Sequence, residues 1–195
     1  MSEAIAYERE GDIAVLKAQN PPVNALGVDV RKGLLAGIER AEQDGAKAVL
    51  IYGEGKTYFA GADIREFGKP PQDPILPTII NRMEAGPTPV IAVIHGVALG
   101  GGLEIALGAQ ARIGVGRVRV GLPEVLLGIL PGAGGTQRAP RLTGVPAAID
   151  LITTGRHVEG PEALELGLID RLTEGDPRDV ALAAAEDVRT GALQT

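Results

Sequence analysis

Two glutamates stand apart from every other charge around them. Between Ala85 and Ala111 the one Asp, Glu, Lys or Arg is Glu104, in the run HGVALGGGLEIALG. Between Val120 and Gln137 it is Glu124, in GLPEVLLGILPGAGGTQ. A carboxyl withdrawn from water keeps its proton near neutral pH, and one that meets N–H donors stays ionised, so such a pair can divide acid and base work. An ordinary structural reading stands beside this one. Gly100-Gly101-Gly102 before Glu104 looks like a helix entrance, where a carboxylate meets the positive end of the helix dipole for about 0.3–1 kcal/mol. Pro123-Glu124 is likewise a common Pro-then-acid helix start.

The rest of the inventory removes competitors. Ser2 is the single serine, there is no cysteine, and His95 and His157 are the two histidines. A thiolate nucleophile and a cysteine-ligated zinc are therefore excluded, a serine triad is not indicated, and no HExxH or paired HxH spacing supports another metal site. General acid and base work falls to carboxylates, with Tyr7, Tyr52, Tyr58 and the lysines as the remaining candidates. Three glycine segments qualify as backbone donors: Gly61-Ala62-Asp63, Gly100-Gly101-Gly102 and Gly132-Ala133-Gly134-Gly135. None is a P-loop and none is GxGxxG, so a nucleoside-triphosphate or dinucleotide site is not indicated. Two exposed N–H groups at loop or helix entrances can cradle a developing oxyanion, although tight turns or close helix packing explain any single glycine loop equally well.

Something must hold these groups together. The 195 residues, 45% of them hydrophobic and 23% charged, are enough for one domain with its own core. A formal charge of −6 provides no global field for nucleic acid or an anionic membrane, so any anion is held locally. No apolar run reaches membrane length, and the amino terminus lacks the basic and apolar regions of a secretory signal. The absence of cysteine fits a reducing compartment, and the cytoplasm is the expected location.

Strands are predicted at Ala4–Glu8 and Ile13–Ala18 around a Glu10-Gly11-Asp12 turn. A helix follows over Val28–Glu42, with Leu34, Leu35, Ile38 and Ala41 at helical spacing. Buried strands are predicted at Ala46–Tyr52 and Val90–Ile94, and extended pieces at Arg112–Val115, Val118–Leu122 and Leu168–Leu172. Further helices are expected near Ile79–Glu84, Gly101–Gln110, Gly135–Leu142, Val145–Thr153, Pro161–Leu166 and Pro177–Arg189. Pro140 is expected to bend or divide its helix, and the prolines between Phe67 and Pro77 predict a surface loop. The alternation indicates a mixed α/β architecture with helices covering sheet layers.

Four segments, in order, resemble the crotonase, or enoyl-CoA hydratase/isomerase, superfamily. They are Asn20-Pro21-Pro22-Val23-Asn24-Ala25-Leu26, Phe59-Ala60-Gly61-Ala62-Asp63-Ile64, the stretch from His95 to Glu104, and Gly121-Leu122-Pro123-Glu124 with Leu130 to Arg138. The style of Gly155-Arg156-His157-Val158, of Ala163 to Asp170 and of the Glu66–Pro77 loop is closest to the hydratase part of multifunctional β-oxidation proteins. The resemblance implies an α/β spiral of repeated ββα units, one hydratase/isomerase domain over residues 1–195. It also implies the front part of a longer protein or a truncated form, since stand-alone members continue beyond Gln194-Thr195.

The resemblance further implies backbone donors at Ala62 and Gly101 and acids at Glu104 and Glu124. Substrate contacts are implied at Ala60, Gly61, Asp63, Ile64, Gly100 and Gly132, with Lys56 the cation placed by motif to meet coenzyme A phosphates and Arg65 and Lys69 as weaker ones. The implied substrate is a trans-2-enoyl-CoA, hydrated to the 3-hydroxyacyl-CoA without metal or redox cofactor, coenzyme A being part of the substrate. A Δ3,Δ2-enoyl-CoA isomerase using Glu124, or an acyl-CoA-binding module without a competent pocket, are the alternatives. The implied partners are a second copy of the chain or a fused 3-hydroxyacyl-CoA dehydrogenase part.

Overall fold

The computed structural model describes residues 4–192. Ser2 and the chain end at Gln194-Thr195 lie outside them. Strands β1 (Ile5–Glu10) and β2 (Ile13–Ala18) form an antiparallel hairpin, and helix α1 (Val28–Gln43) follows. Strand β3 (Ala48–Gly53) then pairs in parallel with β2. After helix α2 (Leu76–Ala85), strand β4 (Val90–Leu99) extends the parallel sheet and runs into helix α3 (Gly101–Leu107). Strand β5 (Ala111–Gly121) pairs with β4 and leads to a 3₁₀ turn at Pro123–Leu127. Helices α4 (Gly135–Thr143) and α5 (Val145–Thr154), strand β6 (His157–Glu159), helix α6 (Gly160–Glu165), strand β7 (Arg171–Thr173) and helix α7 (Pro177–Thr190) complete the chain. The sheet order is β1-β2-β3-β4-β5-β6, with β7 also on β5.

Apolar runs such as AVLIYG form central strands because both faces of the sheet are covered. Val49 and Ile51 of β3 and Ala92 and Ile94 of β4 face the core under α1, α2 and α3. Leu50, Tyr52, Ile91 and Val93 point the other way, onto Ala181, Ala184 and Ala185 of α7. One residue of register slip would exchange the two sets, which fixes where each strand ends and hence where its loop emerges.

Strand β4 continues to Leu99 where the sequence predicted an end at Ile94. The chain bends at Gly96 rather than stopping, with φ +61 and a register shift between His95 and Gly96. A Cβ at Gly96 would lie 2.0 Å from the Lys56 carbonyl oxygen, so both the conformation and the contact demand glycine. Opposite it, residues 116 and 117 bulge out of β5, which therefore joins the two predicted pieces Arg112–Val115 and Val118–Leu122 into one bent strand. Helix α2 begins at Leu76 rather than Ile79, because Pro77 falls in the first turn, where a missing N–H breaks no helical bond. Helix α4 continues through Pro140 instead of dividing there. Strand β6 is three residues long, too short to show a period, and was not anticipated.

Candidate active site

The second half of β4 delivers the chain to the entrance of α3 beside the loop at 59–62. That loop is clamped from both sides: Leu26 and Ala62 form a parallel bridge, and so do Phe59 and Ala98. Leu26 N–H donates to the Gly61 carbonyl at 2.9 Å, Ala60 N–H to Val23 at 3.1 Å and Leu99 N–H to Phe59 at 3.3 Å. Gly102 lies so close to this loop that a Cβ there would sit 2.1 Å from the Phe59 carbonyl oxygen. Among the described residues no backbone carbonyl accepts from the amides of Ala62 and Gly101. The two groups are neighbours: a Cβ built on Gly101 would be 3.7 Å from the Ala62 nitrogen. Gly101 is the first residue of a helix, where an N–H has no intrahelical acceptor.

A cavity of about 630 Å³ opens beside these amides. Both lone acids line it, together with every other site residue drawn from the sequence except the cations Lys56 and Arg65. Neither histidine and none of the three tyrosines is in its lining, so those competing acid–base candidates are not brought to it.

The two acids occupy different surroundings. Glu104, on α3, is 2% exposed, and its Oε1 accepts from the amides of Ala133 and Gly135 at 2.8 Å each. Burial raises its pKa, while those two N–H donors and the Arg138 charge pull the other way. Glu124, in the 3₁₀ turn after β5, is 9% exposed and its Oε2 is buried without a hydrogen-bond partner among the described residues. Burial pushes its carboxyl up to about 7, its own backbone N–H opposes the rise, and the Glu104 charge adds to it. Glu124 also faces the entrance of α3: a Cβ at Gly100 would lie 3.2 Å from its Oε1. The ordinary reading of Glu104 as a mere helix-start acid does not account for the pair of amides aimed at it.

Asp63 and Lys56 take different places around the cavity. The Asp63 carboxylate caps the 3₁₀ turn Ile64–Glu66, accepting from Arg65 N–H at 3.0 Å, and holds the Arg65 guanidinium at 2.7 Å. The bond from Arg65 keeps its carboxyl below the usual range. Its side chain therefore shapes the turn at the edge of the cavity it lines. Lys56 is exposed on the turn after β3, outside the lining, because the bend at Gly96 packs against its backbone carbonyl. The cations that do line the cavity are Lys69 and Arg31. Ile64, 72% exposed, stands at the mouth.

Sequence reasoning missed two contributions. It named the glycine segment 132–135 as a source of backbone donors but not their target, Glu104, which the amides of Ala133 and Gly135 hold. Arg31 is buried at 7% exposure in the apolar stripe of α1, with Leu34, Ile38 and Ala41. A charge in that stripe was a readable signal.

Residues 8–187 match the family described as enoyl-CoA hydratase/isomerase. The chain belongs to the enoyl-CoA hydratase/isomerase family. It is 53% identical over 174 residues to a peroxisomal bifunctional enzyme of Danio rerio, covering 89% of this chain and 24% of that protein. A probable enoyl-CoA hydratase of Bacillus subtilis is 43% identical over 174 residues, covering 85% of this chain and 67% of that one. The crystal structure of an enoyl-CoA hydratase from Bacillus anthracis superimposes with a TM-score of 0.88 at 32% identity, over 96% of this chain and 77% of that chain. The fold is thus the crotonase-type α/β architecture, and the chain spans about a quarter of the length of the bifunctional relative it matches. No helix among the described residues is long and apolar enough to cross a membrane.

Proposed function

We propose that this chain hydrates trans-2-enoyl-CoA thioesters reversibly to 3-hydroxyacyl-CoA. The reading rests on one observation: two unbonded amides and two unequal buried carboxyls share one cavity. The amides of Ala62 and Gly101 receive the thioester oxygen. Glu104, whose ionised form is supported by two N–H donors, takes a proton from water as the water oxygen bonds to C3. Negative charge passes through the conjugated system to the thioester oxygen, where losing one donor costs on the order of 10²–10³ in rate. Glu124, protonated up to about pH 7, gives its proton to C2. The oxygen from water ends on C3, the hydrogen on C2, and the net proton has moved from one carboxyl to the other. No metal or redox cofactor enters this sequence.

The unpartnered Oε2 and raised pKa of Glu124 also suit proton shuttling between C2 and C4, so Δ3,Δ2-enoyl-CoA isomerisation is proposed as a second activity of the same pocket. The phosphates of coenzyme A are assigned to Lys69 at the cavity and to Lys56 outside it. Assembly with further copies, fusion to a dehydrogenase part and a cytoplasmic setting belong to the same proposal. Relatives named bifunctional support the fusion, and relatives named peroxisomal make cell fractionation the test of location.

The deciding experiment mixes purified protein with a short enoyl-CoA and follows the ultraviolet absorbance of its conjugated thioester. Absorbance falls with the wild type and stays level with Glu104→Gln, while Glu104→Gln still moves a Δ3 double bond. Binding of acyl-CoA by well-folded wild type without turnover would replace the hydratase with a binding module.

A further inference from the structure

We propose that Arg31 is a positioning residue that straps the proline-rich wall of the acyl cavity in place. The function of the wall rests on the enoyl-CoA reading; the strap itself rests on the bonds that follow. From α1 the guanidinium reaches three separate stretches of chain. Its Nε donates to the Pro74 carbonyl at 2.7 Å and its Nη2 to the Gln72 carbonyl at 2.9 Å. Its Nη1 donates to the Leu26 carbonyl at 2.9 Å and to Glu66 Oε2 at 2.7 Å. Glu66 in turn accepts from Val28 N–H at 2.8 Å through its other oxygen, so the acid joins the 3₁₀ turn to the start of α1.

The chemistry of the wall explains why a guanidinium is needed there. Pro70, Pro71 and Pro74 have no N–H, so the segment they interrupt cannot tie itself down by an ordinary ladder. It is held instead through carbonyl oxygens, and the donors must come from outside. Arginine presents five N–H groups in a rigid fork, whereas lysine offers one compact ammonium that cannot span acceptors lying in three directions.

What the strap holds is the apolar side of the cavity. Phe67, Pro70, Pro71 and Ile75 line it, and Leu76 follows directly after them. The Leu76 Cδ1 lies 2.7 Å from the place a Gly101 Cβ would take, beside the amide donor. At its other end the guanidinium holds Leu26, the bridge partner of Ala62. Arg31 therefore touches no reacting atom but fixes both the wall against which an acyl chain lies and the strand partner of one donor.

Two readouts independent of turnover test this on the full chain. The first is chymotryptic cleavage after Phe67, which should speed up in Arg31→Lys by about tenfold or more, the factor carried by losing one charged hydrogen bond, while other cleavage sites are unchanged. The second is the ratio of dissociation constants for saturated decanoyl-CoA and acetyl-CoA by calorimetry. Arg31→Lys should weaken the long chain by about tenfold and leave the short one within about twofold, because the wall meets only the long chain. Glu66→Gln, at a half-exposed partner, keeps the test open if Arg31→Lys does not fold, and should move both readouts the same way by less. Unchanged cleavage, or equal weakening for both thioesters, overturns the strap. Both expected shifts in a protein that never hydrates enoyl-CoA would sustain the strap and refute the hydratase reading alone.

Discussion

The pH profile of hydration offers the sharpest test of the paired acids. On the proposed mechanism the active form is the pair carrying one proton: doubly ionised it has nothing to give C2, and doubly protonated it has no base for water. With the Glu124 carboxyl at about 7 while Glu104 is ionised, the upper limb of kcat/KM lies near pH 7, and at about pH 8 roughly one-tenth of the enzyme stays competent. The lower limb lies above 4.5, since burial raises Glu104 from that value. Water addition releases no net proton to solvent, so forward and reverse kcat/KM must follow the same bell. The assay is loss of the conjugated thioester absorbance from enoyl-CoA, and its gain from 3-hydroxyacyl-CoA, between about pH 5.5 and 9. Replacing Glu124 by Gln should lower the rate by about 10²–10⁴ and erase the upper limb. An upper limb that survives in Glu124→Gln, or a flat wild-type profile in both directions, refutes the division of roles.

Three further outcomes are expected. A carboxyl moved from 4.5 to about 7 on folding binds more protons folded than unfolded between those values, so stability falls as pH rises through them; the cost above pH 7 is about 3 kcal/mol, and Glu124→Gln should raise Tm at about pH 8 but little at pH 4.5. Gly101→Ala keeps its N–H and presses only on the flexible end of Leu76, so it should stay folded, but its Cβ, 3.7 Å from the Ala62 nitrogen, intrudes beside the two amides and should cost about 10² in kcat by displacing the thioester, whereas Gly102→Ala meets the Phe59 carbonyl oxygen at 2.1 Å and should fail on thermal stability first. Lys56→Ala and Lys69→Ala should each raise KM for the thioester by up to about fivefold without changing kcat, an effect that vanishes at high salt; a kcat loss would contradict their assignment to coenzyme A phosphates.

The elements legible in the sequence were those whose pattern reports burial. AVLIYG and the first half of β4 read as strands because both faces are covered, and α1 read as a helix from Leu34, Ile38 and Ala41. The second half of β4 was not legible, since nothing local shows that the chain bends at Gly96 and goes on against a matching bulge in β5. The acids were legible because each was the lone charge in an apolar stretch, and the cavity brings both together. The 132–135 segment was legible as a source of donors but its target was not, because an amide belongs to every residue and only the path of the chain aims Ala133 and Gly135 at Glu104. Arg31 was legible in principle and overlooked: its position in a helix stripe marked it as buried, and a buried guanidinium must find acceptors.

On the proposed mechanism the oxygen-holding groups of this pocket are main-chain amides, carried by the clamp between Phe59, Ala98 and Gly102. Among residue exchanges proline alone deletes such a donor, while either acid is a single codon change from a neutral amide. Variation in this scaffold therefore falls unequally, with the cradle inherited as geometry and the proton-moving side chains free to be replaced. A descendant could keep its hold on thioesters and take up a different reaction.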